Sequence, residues 1–477
     1  MMVRRHTALL LSIVIASLTA SILPCLAFSS SSALRNVQSS PSFCAQADTL
    51  QVYQIPQSDK LLSSARGWME HIEQRDGPKY GVGAYTVLRC DATTIMSSSS
   101  PNELKCEWKI WGEEFHMDRL SSSFQTLHTN LFGMTEGGGE GSIYGGITSM
   151  SGMGSSVHTQ SMFADSIEET RHVMSMLLKE ATKSICSNSN SLQYEGAQTL
   201  MLTILWTPSS SARQSSTPLV RGHAAFSASA PQPSSNNNID EHESPLPLLP
   251  APITACLAIP NQLTPEALSV LPRRHGMNLN LQRQVGSSAS AKVSSWCRIR
   301  RPLEDPNRYK PLDASVGEVI LVRQPETERG TNIITYANDN FIETLELLEG
   351  LISNLFVVYH DGSIRTAPVG LVLPGYARHL ILQELNERGM KVDSLKAPTI
   401  QDMRDGLWSE VFVTSAIRLV VPVERIIVPA ATGSGAAPYV LWEAPNDEYR
   451  ATKMIQSAMY QRGCSLATVK QIFSYTD

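Results

Sequence analysis

Two periods of hydrophobic spacing alternate along this chain, one close to 2 and one close to 3.6. Tyr80 to Arg89, YGVGAYTVLR, reads as a strand, and Cys106 to Trp111 as its partner. Glu114 to Leu127 follows with Phe115, Leu120, Phe124 and Leu127 on one side, a helical stripe. Asp165 to Ile185 is a second amphipathic helix, and Thr199 to Trp206 returns to a strand. The apolar run Ile253 to Ile259 opens a further unit, and Glu318 to Val322 is another strand. Phe356 to Tyr359 reads as a buried strand. Asp361-Gly362 is predicted to close a two-residue hairpin, with Ser363 to Thr366 as the returning partner. Pro374-Gly375 then breaks the extended chain, and Ala377, Leu380, Ile381 and Leu385 recur at helical spacing from Tyr376 onward. Asn446 to Gln461 is expected to form a last helix that packs on the body. Strands alternating with helices indicate a mixed α/β (α+β) architecture.

Polar and small residues interrupt this pattern. Residues 134–161 are Gly/Ser/Met-rich, and 208–217 and 227–248 are Ser/Pro/Asn-rich; all three read as disordered inserts. GGGEGSIYGG within the first lacks the strand–turn–helix setting that a phosphate loop needs. Extra chain around 324–341 and at Gly433 to Pro438 reads the same way. The 477 residues suffice for two or three domains. A net charge of −5 and the lack of a long basic run past the N-terminus argue against a nucleic-acid partner. The eight cysteines are scattered, with no CxxC pair, so they read as reduced thiols, and neither they nor the histidines have metal-ligand spacing. Near the start, Arg4 and Arg5 precede an apolar run from Ala8 to Ala27 that ends in small residues, a signal-peptide pattern just long enough to span a membrane as an anchor. A Ser-rich, acid-poor stretch with Arg35 follows. The whole resembles the bipartite leaders of algae with secondary plastids, cleaved at an Ala-Phe junction such as Ala27-Phe28. The expectation is a plastid stromal protein with no membrane partner after cleavage; plain secretion is the alternative, against which the unpaired cysteine pattern argues.

The densest chemistry lies in Leu347 to Arg378, LLEGLISNLFVVYHDGSIRTAPVGLVLPGYAR. Free N–H groups where the Tyr376 helix starts make an anion site suited to a phosphate. Taken alone, Pro-Gly before a helix is an ordinary strand–turn–helix unit. As a whole the string resembles the signature of the fold-type IV (class IV) pyridoxal-phosphate enzymes. These include branched-chain and D-amino acid aminotransferases and aminodeoxychorismate lyases. The resemblance covers most of residues 75–425, and KVSSWCRIRRPLE further resembles a plant and algal subgroup of class IV-like proteins. It implies a two-domain, D-amino acid aminotransferase-like fold with pyridoxal 5'-phosphate in the interdomain cleft, and a homodimer. The corresponding boundaries are 1–27 for the signal peptide, 28–58 for the transit segment, 59–250 for a small domain, 251–430 for a cofactor-binding domain and 431–477 for a C-terminal extension.

Such an enzyme needs a lysine for the cofactor's aldehyde, a carboxylate for its ring nitrogen and cations or N–H groups for its phosphate. The resemblance assigns Glu349, which opens the EGxxxNxF string, to the ring nitrogen, and Arg119 of His116-Met117-Asp118-Arg119 to the phosphate. Read without the resemblance, Glu349 is a loop carboxylate and Arg119 a surface arginine paired with Glu113 or Glu114. Between Gly276 and Gly350 only Lys292 and Lys310 occur. The resemblance implies a lysine ahead of a helix that leads into the strand before the glutamate. Lys310 sits too close to the strand at Glu318 for this, whereas Lys292 leaves room for a helix through Trp296, Arg300 and Leu303, so Lys292 is the expected catalytic lysine; a solvated surface residue is the other reading of either. Gly375, Tyr376 and Ala377 complete the phosphate cradle, with the hydroxyls of Thr414 and Ser415 in the EVFxTxxxxxxxPV string. Arg418 is a candidate for the substrate carboxylate, with a salt bridge at the core edge as the other reading. Two departures bear on substrate identity and on activity itself. Ala416 stands where aminotransferases carry a hydroxyl, and Trp296 stands near the place of an expected tyrosine.

The leading expectation is transamination of an amino acid, with a small-molecule substrate as the partner. An aminodeoxychorismate lyase would use the same residues to expel pyruvate without an amino acceptor. A non-catalytic binding module on the same fold is the third reading, which the inserts and Ala416 allow.

Overall fold

In the computed structural model, the described residues are 51–53, 60–96, 103–132, 163–188, 198–209, 218–227, 249–259, 291–304, 316–323, 339–429 and 437–476. The leader, the insert at 134–161, nearly all of the other two and Lys310 lie outside them.

The first half is built on a six-stranded sheet. Its strands are β1 (Gln51–Tyr53), β2 (Ala84–Met96), β3 (Glu103–Ile110), β4 (Gln198–Pro208), β5 (Pro218–Ser227) and, from the far end of the chain, β15 (Thr468–Thr476). They lie in the order β1-β5-β4-β2-β3-β15. Strand β2 alternates as a two-faced strand should. Ala84, Leu88, Cys90 and Ala92 enter one core with Trp108, Met117, Leu120, Phe124 and Leu177. Tyr85 faces the opposite side, toward Trp68, Met69 and Cys297. Helices α2 (Glu113–Phe132) and α3 (Ala164–Asn188) supply the first core, and α1 (Lys60–Tyr80) lies on the second side. Gly77 (φ 76°) and Pro78 interrupt the end of α1. Tyr80 therefore closes that helix, and the strand expected to start there starts at Ala84.

The second half is a barrel with added strands. It contains β6 (Ile253–Ala258), β7 (Val316–Arg323), β8 (Glu346–Gly350), β9 (Asn354–Tyr359), β12 (Trp408–Ser415) and β13 (Leu419–Val428). Pairing runs β9-β12-β13-β6-β7-β8, and β8 pairs again with β9, which closes the ring. Leu257, Ile320, Leu347, Val357, Val411 and Val423 share its core. Strands β10 (Ile364–Arg365) and β11 (Val392–Asp393) extend it beyond β9, and β14 (Tyr439–Glu443) pairs with β13. Lys292 precedes the short helix α4 (Ser295–Ile299), which a single 3-10 turn, Arg301–Leu303, extends. Helix α5 (Tyr376–Glu387) and α7 (Arg450–Leu466) pack together on Phe356, Phe412 and Val420; the five-residue α6 (Ile400–Arg404) lies between them in sequence.

The hairpin after β9 is longer than expected. Tyr359 N donates to Ser363 O at 2.8 Å, so His360, Asp361 and Gly362 form a three-residue loop. Gly362 sits at φ 78°, the left-handed residue that such a loop requires, and Asp361 accepts from Ser363 N. The 431–477 segment is woven into both halves. Strand β14 joins the barrel, α7 starts on the Glu410 carboxylate, which accepts from Ala451 N, Thr452 N and the Thr452 hydroxyl, and β15 edges β3. Residues Thr49–Asp477 accordingly form one compact unit, and β1 places ordered chain ahead of the start expected near Asp59. No helix among the described residues is long and apolar enough to cross a membrane.

Candidate active site

The barrel contributes a row of three residues fixed by strand register. Glu349 of β8 pairs with Asn354 of β9, and Asn354 pairs with Thr414 of β12. Glu349 is only 2% exposed. Its Oε2 accepts from Leu373 N at 2.9 Å, while Asn354 Nδ2 donates to Leu373 O at 2.8 Å. Leu373 is thus held at both ends of its backbone, immediately before Pro374-Gly375 and α5. A Cβ at Gly375 would collide with Asn354 Oδ1, so a larger residue there requires that amide to move. Arg378 on α5 is buried and donates to Ala367 O. Burial pulls its guanidinium down to about 10, and the charge of Glu349 works in the opposite direction.

Arg119 arrives from the other half. It is 8% exposed and donates to the Thr86 hydroxyl (2.9 Å), to His116 Nδ1 (3.0 Å) and to Pro374 O (3.3 Å). Accepting from a guanidinium requires an unprotonated Nδ1. Burial, reinforced by the nearby Arg119 and Lys292 charges, keeps His116 well below the usual histidine range. Burial also lowers Arg119 to about 10, which leaves it a cation at neutral pH. The two helix starts touch: the Tyr376 ring lies 5.3 Å from that of His116 and 5.4 Å from that of Phe115.

Lys292 is held by its backbone. Its N–H donates to Ser123 Oγ at 3.0 Å, and its carbonyl accepts from Tyr85 N at 2.9 Å. Its Nζ lies 4.8 Å from the centre of the Tyr85 ring. Ser415 Oγ accepts from Arg418 N. The Arg418 guanidinium pairs with Glu318 at 3.1 Å, the salt-bridge reading of that residue. Glu318 also accepts from Leu351 N and the Ser353 hydroxyl.

These groups line one cavity of about 950 Å³ between the two halves. Lys292, Arg119, Glu349, Gly375, Tyr376, Ala377, Thr414, Ser415 and Arg418 all reach it, as do Trp296 and Ala416. The sequence reading missed Tyr85 of β2 and Arg66 of α1, which also line it, and Thr86, His116 and Glu318, which brace its wall. Only His116 carried a local signal, through its spacing from Arg119. No cluster of potential metal ligands occurs among the described residues.

The cavity lies between the six-stranded sheet and the barrel. Residues 288–426 match the family model described as amino-transferase class IV. No curated protein sequence matches. Among solved structures, the branched-chain amino acid aminotransferase of Escherichia coli is 16% identical, covering 82% of this chain and 90% of that one at a TM-score of 0.39. A PLP-bound hypothetical aminotransferase of Mycobacterium tuberculosis is 13% identical, with 80% and 89% covered and a TM-score of 0.38. A fold IV transaminase of Curtobacterium pusillum is 12% identical, with 79% and 85% covered and a TM-score of 0.37.

The residues present fit the pyridoxal phosphate that the family implies. Arg119 Nε and Thr414 Oγ1 are both buried without a hydrogen-bond partner among the described residues. One is a charged donor and the other a hydroxyl, and both lie in the wall that includes the α5 start. A phosphate there would satisfy groups whose isolation otherwise costs about 1–3 kcal/mol each.

Proposed function

We propose that this chain is a pyridoxal-phosphate-dependent enzyme that transfers the amino group of an amino acid to a 2-oxo acid. The supporting observation is the convergence on one cavity of a lysine, a register-held carboxylate and a buried arginine beside a helix start. When bound, the cofactor supplies an electron sink for the charge that develops at the substrate Cα. Glu349 would accept from the protonated ring nitrogen, and its bond from Leu373 N ties it to the segment before α5. Arg119, the α5 N–H groups and the Thr414 hydroxyl would hold the phosphate. Lys292 Nζ would hold the cofactor's aldehyde, and its free amine is placed to act as the proton carrier at the substrate Cα. The neutral His116 fixes the Arg119 guanidinium without competing for the anion.

The test is turnover of an amino acid panel by the cofactor-loaded protein, with and without added 2-oxo acids. Amino transfer that requires the 2-oxo acid is the expected result. Pyruvate released from aminodeoxychorismate without an acceptor would replace transamination with the lyase reaction. Capture of neither cofactor nor substrate by folded protein would leave the non-catalytic module.

A further inference from the structure

Just beyond the cavity, one sheet residue reaches across to a barrel turn that forms part of the lining. Tyr85, Val87 and Arg89 alternate onto one face of β2. Tyr85 and Val87 line the cavity, while Arg89, 4% exposed, extends to the turn between β12 and β13. Its Nη1 donates to Ile417 O at 2.8 Å. The rest of the guanidinium is fixed from the sheet. Nε lies 3.0 and 3.1 Å from the two oxygens of Asp91, and Nη2 donates to Thr199 Oγ1 at 3.1 Å. That hydroxyl donates in turn to Asp91 at 2.7 Å. The guanidinium also lies 5.3 Å from the centre of the Trp111 ring.

The turn is one that needs a hold from outside. Ser415 pairs with Leu419 across it, and Leu419 takes φ 59°, a left-handed conformation that a leucine keeps only under constraint. Ser415, Ala416, Ile417 and Arg418 all line the cavity. On the barrel side Arg418 is tied to Glu318. On the sheet side Arg89 holds the Ile417 carbonyl, and the Ile417 side chain packs on Ala65, Met201 and Ala225. A planar guanidinium fixed by Asp91, Thr199 and Trp111 holds that carbonyl in one place, as a flexible ammonium would not.

We infer that Arg89 is a positioning residue for the reaction, pinning the β12–β13 turn and so fixing the wall against which the substrate fits. The inference rests on the function proposed above. In that scheme the cofactor is met by Arg119, Thr414, the α5 start, Glu349 and Lys292, and the Ser415–Arg418 turn lies outside that group. Displacing the turn therefore acts on the substrate and spares the cofactor.

The test compares calorimetric binding of two probes to full-length protein. Pyridoxamine phosphate reports the cofactor site alone, and N-(5'-phosphopyridoxyl)-L-alanine, a stable conjugate, adds the atoms of an amino acid. Arg89→Lys is expected to weaken the conjugate about five- to twentyfold and pyridoxamine phosphate less than about twofold. Thr199→Val, which removes one support of the guanidinium, should weaken the conjugate alone by about two- to fourfold, with a melting temperature near that of wild type. In protein free of either probe, amide hydrogen exchange across residues 415–418 should rise about tenfold in Arg89→Lys. Equal losses for both probes, unchanged conjugate affinity or unchanged exchange at the turn would each overturn the inference. A wild-type protein that binds neither probe would refute the proposed function, and this failure is told apart because the exchange measurement needs no ligand.

Discussion

The two walls of the cavity hold their functional groups by different means. On the barrel side, Glu349, Asn354 and Thr414 are set by hydrogen-bonded register across three neighbouring strands, and two of them clamp the peptide of Leu373. On the sheet side, Arg119 is set by side chains, Thr86 and His116, and Lys292 by a loop whose backbone is tied to Ser123 and Tyr85. Register tolerates loss of one side chain, because the backbone ladder remains. A side-chain network does not, since removing one member leaves the others buried and unsatisfied. The barrel should therefore behave as a rigid template for chemistry, and the sheet side as the adjustable wall that sets what binds.

That contrast is sharpest at Glu349. Glu349→Gln keeps the volume and an acceptor for Leu373 N, so cofactor binding should persist. The rate of Cα deprotonation should fall roughly a hundred- to thousandfold, the size of losing one preorganised electrostatic group. Single-turnover kinetics measures this, and an unaffected rate would remove Glu349 from the chemistry.

A smaller break comes from backbone rather than charge. In Gly375→Ala the new methyl group meets Asn354 Oδ1, so either the Leu373 clamp or the α5 start must shift. The expected cost is about 1–3 kcal/mol of stability, with weakened phosphate affinity, readable by denaturant titration and cofactor titration. Normal values for both would show that the clamp has slack.

The last prediction tests the sheet side alone, and near neutral pH its effect is the smallest. His223 of β5 is fully buried and stacked on Trp68, and burial lowers it to about 4 from an ordinary 6.5. The unfolded chain protonates this group first as pH falls. Its contribution is therefore intact above about pH 6.5 and is lost toward pH 4, at about 1.4 kcal/mol per pH unit. His223→Gln should flatten the acid limb of stability against pH while leaving the cofactor band unchanged. An acid limb identical to wild type would contradict the neutral, buried histidine.

What the sequence made legible follows the same division. Leu347 to Arg378 is contiguous, so strand, turn and helix start could be read from local spacing, and the barrel residues came with them. The turn itself was misjudged by one residue, because Asp-Gly serves a two-residue loop and a three-residue loop with a left-handed glycine equally well. The sheet side depends on pairings that no window contains. Arg66 and Glu304 meet across 238 residues. Strand β15 joins β3 from the chain's last ten residues, and β5 lies between two stretches of low-complexity sequence, where its alternation is hard to see. Arg418 and Glu318 meet across 100 residues, so spacing could not decide between salt bridge and substrate contact.

The central claim is that Lys292 is the residue that carries the cofactor. Full-length protein is given pyridoxal phosphate, its near-visible absorption is recorded, and the adduct is reduced with borohydride and mapped by peptide. The account predicts an absorption band and a reduced adduct on Lys292, both absent in Lys292→Ala. An adduct on Lys310, or no band from folded protein, would contradict it.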